Sequence, residues 1–191
     1  RNELSGLWDG LDENTVLPVA KGPGRIWHFE YLMSRIEKGF GHRDFQNGKN
    51  MYAAASCLSC HAMNDDGGIL GPSLTSVGQR FTIGDLLESI VNPSKTISDQ
   101  YQIVSLKLRN GDSVSGRIQS KDASTTSVAP NVLKPMQSRS IRNDEILSAT
   151  PLPVSTMPPG LLNTMNEEEV LDLIAYIMAG GQSGHPLFQE K

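Results

Sequence analysis

The sequence predicts a mainly α fold in which a helical core is interrupted by a small antiparallel β insert at about residues 101–150. Two observations support this fold class. Apolar residues recur at three- and four-residue steps in residues 25–39 and again in residues 166–181, which is the period of an amphipathic helix. Beyond residue 100 the period changes to an alternation of apolar and polar residues around the turn Asn110-Gly111, which predicts a β-hairpin.

The helices and their end signals divide the chain into three parts. Residues 1–42 are predicted to be an N-terminal extension or linker with one helix, which follows a Leu/Trp-rich segment at residues 4–11. Residues 43–181 form the main domain, which includes the β insert, and residues 182–191 form a C-terminal tail. The helical pattern before the tail has clear end signals, because Asn166 can cap its first turn.

Composition excludes several classes of protein. The chain has 191 residues, of which 38% are hydrophobic and 20% charged, and a net charge of −4, which excludes a strongly basic nucleic-acid binder. No run of about 18 apolar residues occurs, so we expect no membrane span. The chain begins at Arg1 without an apolar leader, and we therefore expect a processed chain or a fragment of a longer protein.

Charge is distributed unevenly between the predicted insert and the rest of the chain. Residues 101–150 contain seven basic and four acidic residues, a net charge of +3, which leaves −7 for the remainder. Two interpretations stay open: ordinary solvated strand faces, or a docking module for a redox partner or a second copy.

The two cysteines define the most informative motif. A predicted helix leads into Cys57-Leu58-Ser59-Cys60-His61, which has the C-x-x-C-H pattern of covalent c-type haem attachment. The two thiols can add to the two vinyl groups at one edge of a porphyrin, and the adjacent imidazole can bind the iron from one face. A thioredoxin-like site requires a preceding strand, and a structural zinc site requires four ligands, so both alternatives are weaker.

Residues after the motif are candidates for the rest of a haem pocket. The carbonyl of Pro72 can accept the second N–H of a ligating imidazole. Leu74 is an apolar residue that can lie against the macrocycle, and Arg80 can bind a haem propionate.

A sixth iron ligand has to come from elsewhere in the chain. Among seven methionines, Met157 stands in a loop that is stiffened by Pro158 and Pro159, and we predict it as the distal ligand. Met165 and an open sixth position remain as alternatives.

These motifs together resemble a known family. "FQNGKNMYAAASCLSCH", "GGILGPSLT" and "MPPGLL" before a closing helix resemble class I cytochromes c, and more narrowly the planctomycete/verrucomicrobial type of haem-binding domain that often closes large exported proteins. The resemblance covers about residues 43–181. It implies a cytochrome c-like helical core, one covalent haem c on Cys57 and Cys60, His61 as proximal ligand and Met157 as distal ligand.

The function that follows is one-electron transfer by a monohaem cytochrome, with a redox partner protein or a dehydrogenase domain as partner. We expect an electron carrier rather than an enzyme, located in the periplasm or exported, because haem attachment of this kind occurs outside the cytoplasm. The alternative is a haem enzyme or a gas or redox sensor whose sixth position is open or labile.

Overall fold

The computed structural model describes residues 18–134 and 136–189, so the Leu/Trp-rich segment at residues 4–11 lies outside the described residues. The described helices are α1 (Phe29–Lys38), α2 (Phe45–Ala54), α3 (Cys57–Cys60), α4 (Ile83–Val91) and α5 (Glu167–Met178). The described strands are β1 (Ala62–Met63), β2 (Asp66–Gly67), β3 (Ile103–Leu108), β4 (Ser113–Lys121), β5 (Thr125–Ala129), β6 (Arg139–Arg142) and β7 (Ile146–Pro151).

The prediction of a mainly α fold is wrong. The structure is 33% helical and 20% strand, and its largest sheet has five antiparallel strands in the order β6-β5-β4-β3-β7. The fold is therefore mixed α and β. The helices are shorter than the apolar patterns predict, since α1 begins only at Phe29. The sequence pattern does not predict β7, because β7 pairs with a strand some forty residues earlier, as in the pair Leu106 and Ala149.

The described residues fall into two compact units: the chain up to Val91 together with the chain from Pro159 onward, and Asn92–Pro158. In the first unit, α2 and α5 pack closely because Gly48 has no side chain; a Cβ there would lie 2.3 Å from the carbonyl oxygen of Asp172. The largest fully buried side chains of this unit are Leu32, Tyr52, Leu87, Met165, Leu173, Ile174 and Ile177.

The N-terminal end of α5 is capped as the sequence predicts. The Asn166 side chain accepts the backbone N–H of Glu169, and the Glu169 carboxylate accepts the backbone N–H of Asn166, which together form a capping box. The same carboxylate is 2% exposed and also accepts the backbone N–H groups of Lys21 and Gly22. This buried charge is thus matched by donors from a distant part of the chain.

The second unit, Asn92–Pro158, contains the five-stranded sheet. The predicted hairpin is confirmed: β3 and β4 are joined at Asn110-Gly111, where Gly111 has a φ of 94°. One face of the sheet carries its apolar core, formed by Leu106, Leu108, Val114, Val128 and Ile141. No helix in the described ranges combines the length and apolar character that crossing a membrane requires.

Candidate functional site

The C-x-x-C-H motif lies on a single helical turn followed by a tight hairpin. Ser56 has a left-handed φ of 60°, which residues other than glycine rarely adopt, and the resulting sharp turn lets α3 begin directly at Cys57. Cys57 and Cys60 are the first and last residues of α3, so their side chains lie on one face of the helix. Two thiols spaced in this way can both reach the same edge of a planar ligand.

Both cysteines are free thiols rather than a disulfide. Burial raises the pKa of the Cys57 thiol to about 12 and also raises the pKa of Cys60, because a low-dielectric environment disfavours the thiolate. Redox-active thiols have a lowered pKa instead. A thioredoxin-like pair also follows a strand, whereas here α2 leads into α3, so the structure argues against a thioredoxin-like role for this pair.

The imidazole of His61 is oriented by one hydrogen bond. Its Nδ1 lies 2.8 Å from the carbonyl oxygen of Pro72, and since a carbonyl only accepts, Nδ1 must carry the proton. Burial lowers the pKa of His61, and the bond to Pro72 opposes this effect. A neutral ring protonated on Nδ1 has its lone pair on Nε2, which is the form that binds a metal ion.

Gly71 fixes the position of this ring from one side. A Cβ at this residue would lie 2.4 Å from Cε1 and 2.7 Å from Nδ1 of His61, closer than side chains can approach. The backbone N–H of Gly71 also donates to the carbonyl of Cys60 at 2.7 Å. The segment Gly71-Pro72 thus both contacts the imidazole and accepts the hydrogen bond of its Nδ1–H group, and the Gly-Pro pair in the sequence is the signal for this contact.

Tyr52 connects α2 to the motif in a way that sequence reasoning missed. Its side chain is 2% exposed and its hydroxyl donates to the backbone carbonyl of His61 at 2.8 Å. The apolar pattern of α2 predicts only that Tyr52 faces inward, since the partner of a buried hydroxyl is not encoded in periodicity. The bond holds the backbone of His61 while Pro72 holds its ring.

The remaining predicted site residues are placed as follows. The backbone N–H of Leu74 donates to the carbonyl of Ala62 directly after the motif, and the Leu74 side chain is half-buried. Arg80 is exposed, with its guanidinium 5.9 Å from the centre of the Phe81 ring. Met157 belongs to the unit Asn92–Pro158, is half-buried, and its backbone N–H donates to the Ser155 hydroxyl. The structure therefore brings Cys57, Cys60, His61, Pro72 and Leu74 together.

The donor set suits haem better than a bare metal ion. Across residues 18–134 and 136–189, no group of three or more His, Cys, Asp and Glu side chains could hold a metal ion. A zinc site at Cys57 and Cys60 would thus lack ligands. In contrast, two free thiols on one helix face and an adjacent imidazole with its Nε2 lone pair available are the groups that a covalently attached haem requires.

Comparison with known proteins agrees with this chemistry. Residues 45–106 match the cytochrome c family, a range that includes the whole C-x-x-C-H motif and the Gly71-Pro72 segment. A search of curated proteins finds no match to the chain. The family match supports a c-type cytochrome, and with it a haem-binding electron carrier with covalently bound haem c.

Proposed function

We propose that this chain acts as a monohaem c-type cytochrome that transfers single electrons, with one haem attached through Cys57 and Cys60. The observation that carries the proposal is the arrangement around His61. Its Nδ1 is bound by the Pro72 carbonyl, which leaves Nε2 for iron, one residue after the second of two free thiols. Haem iron, when bound, supplies a reversible one-electron couple, which Met/His ligation shifts to higher potential.

The chain's own residues would then orient and enclose this group. The thiols of α3 fix one edge, and the Pro72 hydrogen bond makes the His61 imidazole a more basic ligand with a fixed plane. Leu74 supplies apolar contact and Arg80 pairs with a propionate, since a guanidinium binds carboxylates in bidentate fashion. Apolar surroundings exclude water and thereby favour the less charged ferrous state.

The distal ligand in this proposal is Met157. Support comes from the proline pair that follows it and from the burial of three competing methionines. Met51, Met63 and Met165 are 2%, 3% and 0% exposed, so protein atoms already enclose them. A loop stiffened by Pro158 and Pro159 presents a thioether at a small entropic cost.

The wider setting is also a proposal. The resemblance to the planctomycete/verrucomicrobial type of haem-binding domain suggests a periplasmic or exported protein. Its partner would be a redox protein or a dehydrogenase domain that exchanges one electron at a time.

Attachment is tested by expressing the chain with a c-type cytochrome maturation system. We expect a coloured protein whose mass exceeds that of the polypeptide by one haem and whose iron-to-protein ratio is one. Cys57→Ala should reduce the covalent attachment to one thioether, which shifts the pyridine haemochrome band. A colourless product with the mass of the polypeptide alone would show that the proposal is wrong.

Axial ligation is tested by comparing Met157→Ala with Met136→Ala, a control at a residue that is 75% exposed. The ferric wild type should show the weak near-red absorption band of methionine-ligated iron, which Met157→Ala should lose and Met136→Ala should keep. If the wild type lacks this band and its ferrous form binds carbon monoxide readily, the alternative of a haem enzyme or sensor with an open sixth position is supported instead.

A further inference from the structure

The five-stranded sheet has a second face, opposite the one that carries its apolar core. Side chains alternate along a strand. The residues that alternate with Leu106 and Leu108 in β3, and with Val114 in β4, therefore point away from that core. We call this the outer face; it comprises Ser105 and Lys107 of β3, Ser113, Ser115 and Arg117 of β4, the residues paired with them, and Arg142 of β6, which follows the core residue Ile141 and therefore points the other way. Most of these side chains are exposed.

Hydroxyl groups and cations form rows across the outer face. Residues paired in register lie on the same side of a sheet, so Lys107 stands between Ser113 of β4 and Ser148 of β7. In the next row, Ser105 stands between Ser115 and Thr150. Apart from Ile103 and Ala129, which pair with Arg117, the outer face is polar, and lysine and arginine are its long charged side chains.

Every charged residue in strands β3 to β7 is basic. They are Lys107, Arg117, Lys121, Arg139 and Arg142. Lys107, Arg117 and Arg142 lie on the outer face, whereas Lys121 and Arg139 pair with Thr126 and Val128 on the side of the apolar core. Lys107 is exposed and forms no ion pair with any described residue. The guanidinium of Arg117 lies 5.6 Å from the centre of the Tyr101 ring, and Arg142 pairs with Asp144 beyond the end of its strand.

The rest of the chain has the opposite charge. The unit Asn92–Pro158 contains eight basic and five acidic residues, a net charge of +3, while the whole chain has −4, which leaves −7 for the other unit. An acidic partner is therefore repelled by the unit that carries Cys57 and Cys60 and attracted by the sheet. Long-range steering of this kind raises association rates by about 10- to 1,000-fold at low salt.

We propose that the outer face is a docking surface for an acidic protein, and that it accelerates encounter rather than forming a lasting complex. Stable interface cores are depleted in serine and lysine, and the outer face is rich in both. Small, weak interfaces are typical of electron-transfer encounters. That the partner is a redox protein rests on the proposed function, whereas the binding of acidic protein surface does not.

The test measures binding of poly(L-glutamate), an acidic polypeptide probe, to the full matured chain at about 10 mM and about 150 mM ionic strength, where the Debye length is about 30 Å and about 8 Å. The face variant is Lys107→Gln/Arg117→Gln/Arg142→Gln. The control Lys21→Gln/Lys38→Gln/Lys49→Gln removes the same charge from exposed residues of the other unit. We expect Kd at low salt to rise by about tenfold or more in the face variant and by less than about twofold in the control.

Three results would overturn the proposal. Equal weakening in the two variants would show that binding follows net charge rather than the outer face. Polygalacturonate binding to the face more tightly than poly(L-glutamate) at equal carboxylate concentration would identify an acidic polysaccharide as the occupant. Salt-sensitive self-association in sedimentation equilibrium that is lost only in the face variant would identify a second copy. Circular dichroism of each variant confirms folding, and a face variant that unfolds is replaced by Lys107→Gln alone, which removes one of the three charges and is expected to weaken binding by about a third as much on a logarithmic scale. None of these readouts depends on haem, so this proposal and the proposed function fail independently.

Discussion

Replacing Gly71 with alanine tests whether the His61 ring is held where the structure places it. The added Cβ would lie 2.4 Å from Cε1, 2.7 Å from Nδ1 and 3.0 Å from Nε2 of the imidazole. Carbon atoms in contact are normally about 3.5 to 4.0 Å apart, so the ring or the segment around Pro72 has to move by about 1 Å. That movement strains the 2.8 Å hydrogen bond between Nδ1 and the Pro72 carbonyl.

The expected cost has two parts. Overpacking of this kind costs about 1 to 3 kcal/mol, and loss of one hydrogen bond about 0.5 to 1.5 kcal/mol. We therefore expect Gly71→Ala to lower the free energy of unfolding by about 2 to 4 kcal/mol, measured by urea denaturation of the matured protein. The absorption spectrum should shift in the same variant, since the orientation of His61 changes.

Gly41→Ala is the matched control, because a Cβ at Gly41 meets no atom within 4 Å. Both substitutions restrict the unfolded chain to the same degree, so this contribution cancels in the comparison. If Gly71→Ala destabilises the protein no more than Gly41→Ala does, the imidazole is not packed against Gly71 and the account of the site is wrong.

Two further predictions concern single side chains. Tyr52→Phe leaves the His61 carbonyl without its buried donor and should lower the free energy of unfolding by about 1 to 3 kcal/mol. Tyr176→Phe, whose hydroxyl makes no hydrogen bond with a described residue, should cost clearly less, and equal losses in urea denaturation would refute the role of the Tyr52 hydroxyl. For Asp122, the backbone N–H of Ser124, together with other N–H and hydroxyl donors of the β4–β5 turn, lowers the carboxyl pKa below its ordinary value. A lowered pKa stabilises the folded state above the unfolded value of about 3.9, and this stabilisation is lost as the pH falls toward the lower, folded value. The stability difference between wild type and Asp122→Asn should therefore shrink between about pH 5 and pH 2, and a constant difference would contradict the assignment.

The sequence determined the chemistry of the candidate site because that chemistry is local. A two-residue spacer between Cys57 and Cys60, followed at once by His61, places three reactive groups within five residues whatever the rest of the chain does. The cap at Asn166 and the turn at Asn110-Gly111 were predictable for the same reason, since each depends on neighbouring residues.

Only the tertiary structure decided which distant residues meet these local elements. The hydroxyl of Tyr52 and the backbone of Gly71 reach His61 through packing that no periodicity encodes. The fold class was wrong for the same reason: strand pairing such as that between β3 and β7 is a long-range interaction, and β propensity depends on the neighbours that pairing supplies. The rows of cations and hydroxyls on the outer face likewise exist only in the register of the folded sheet, because charge counts along a chain do not say which side chains share a face.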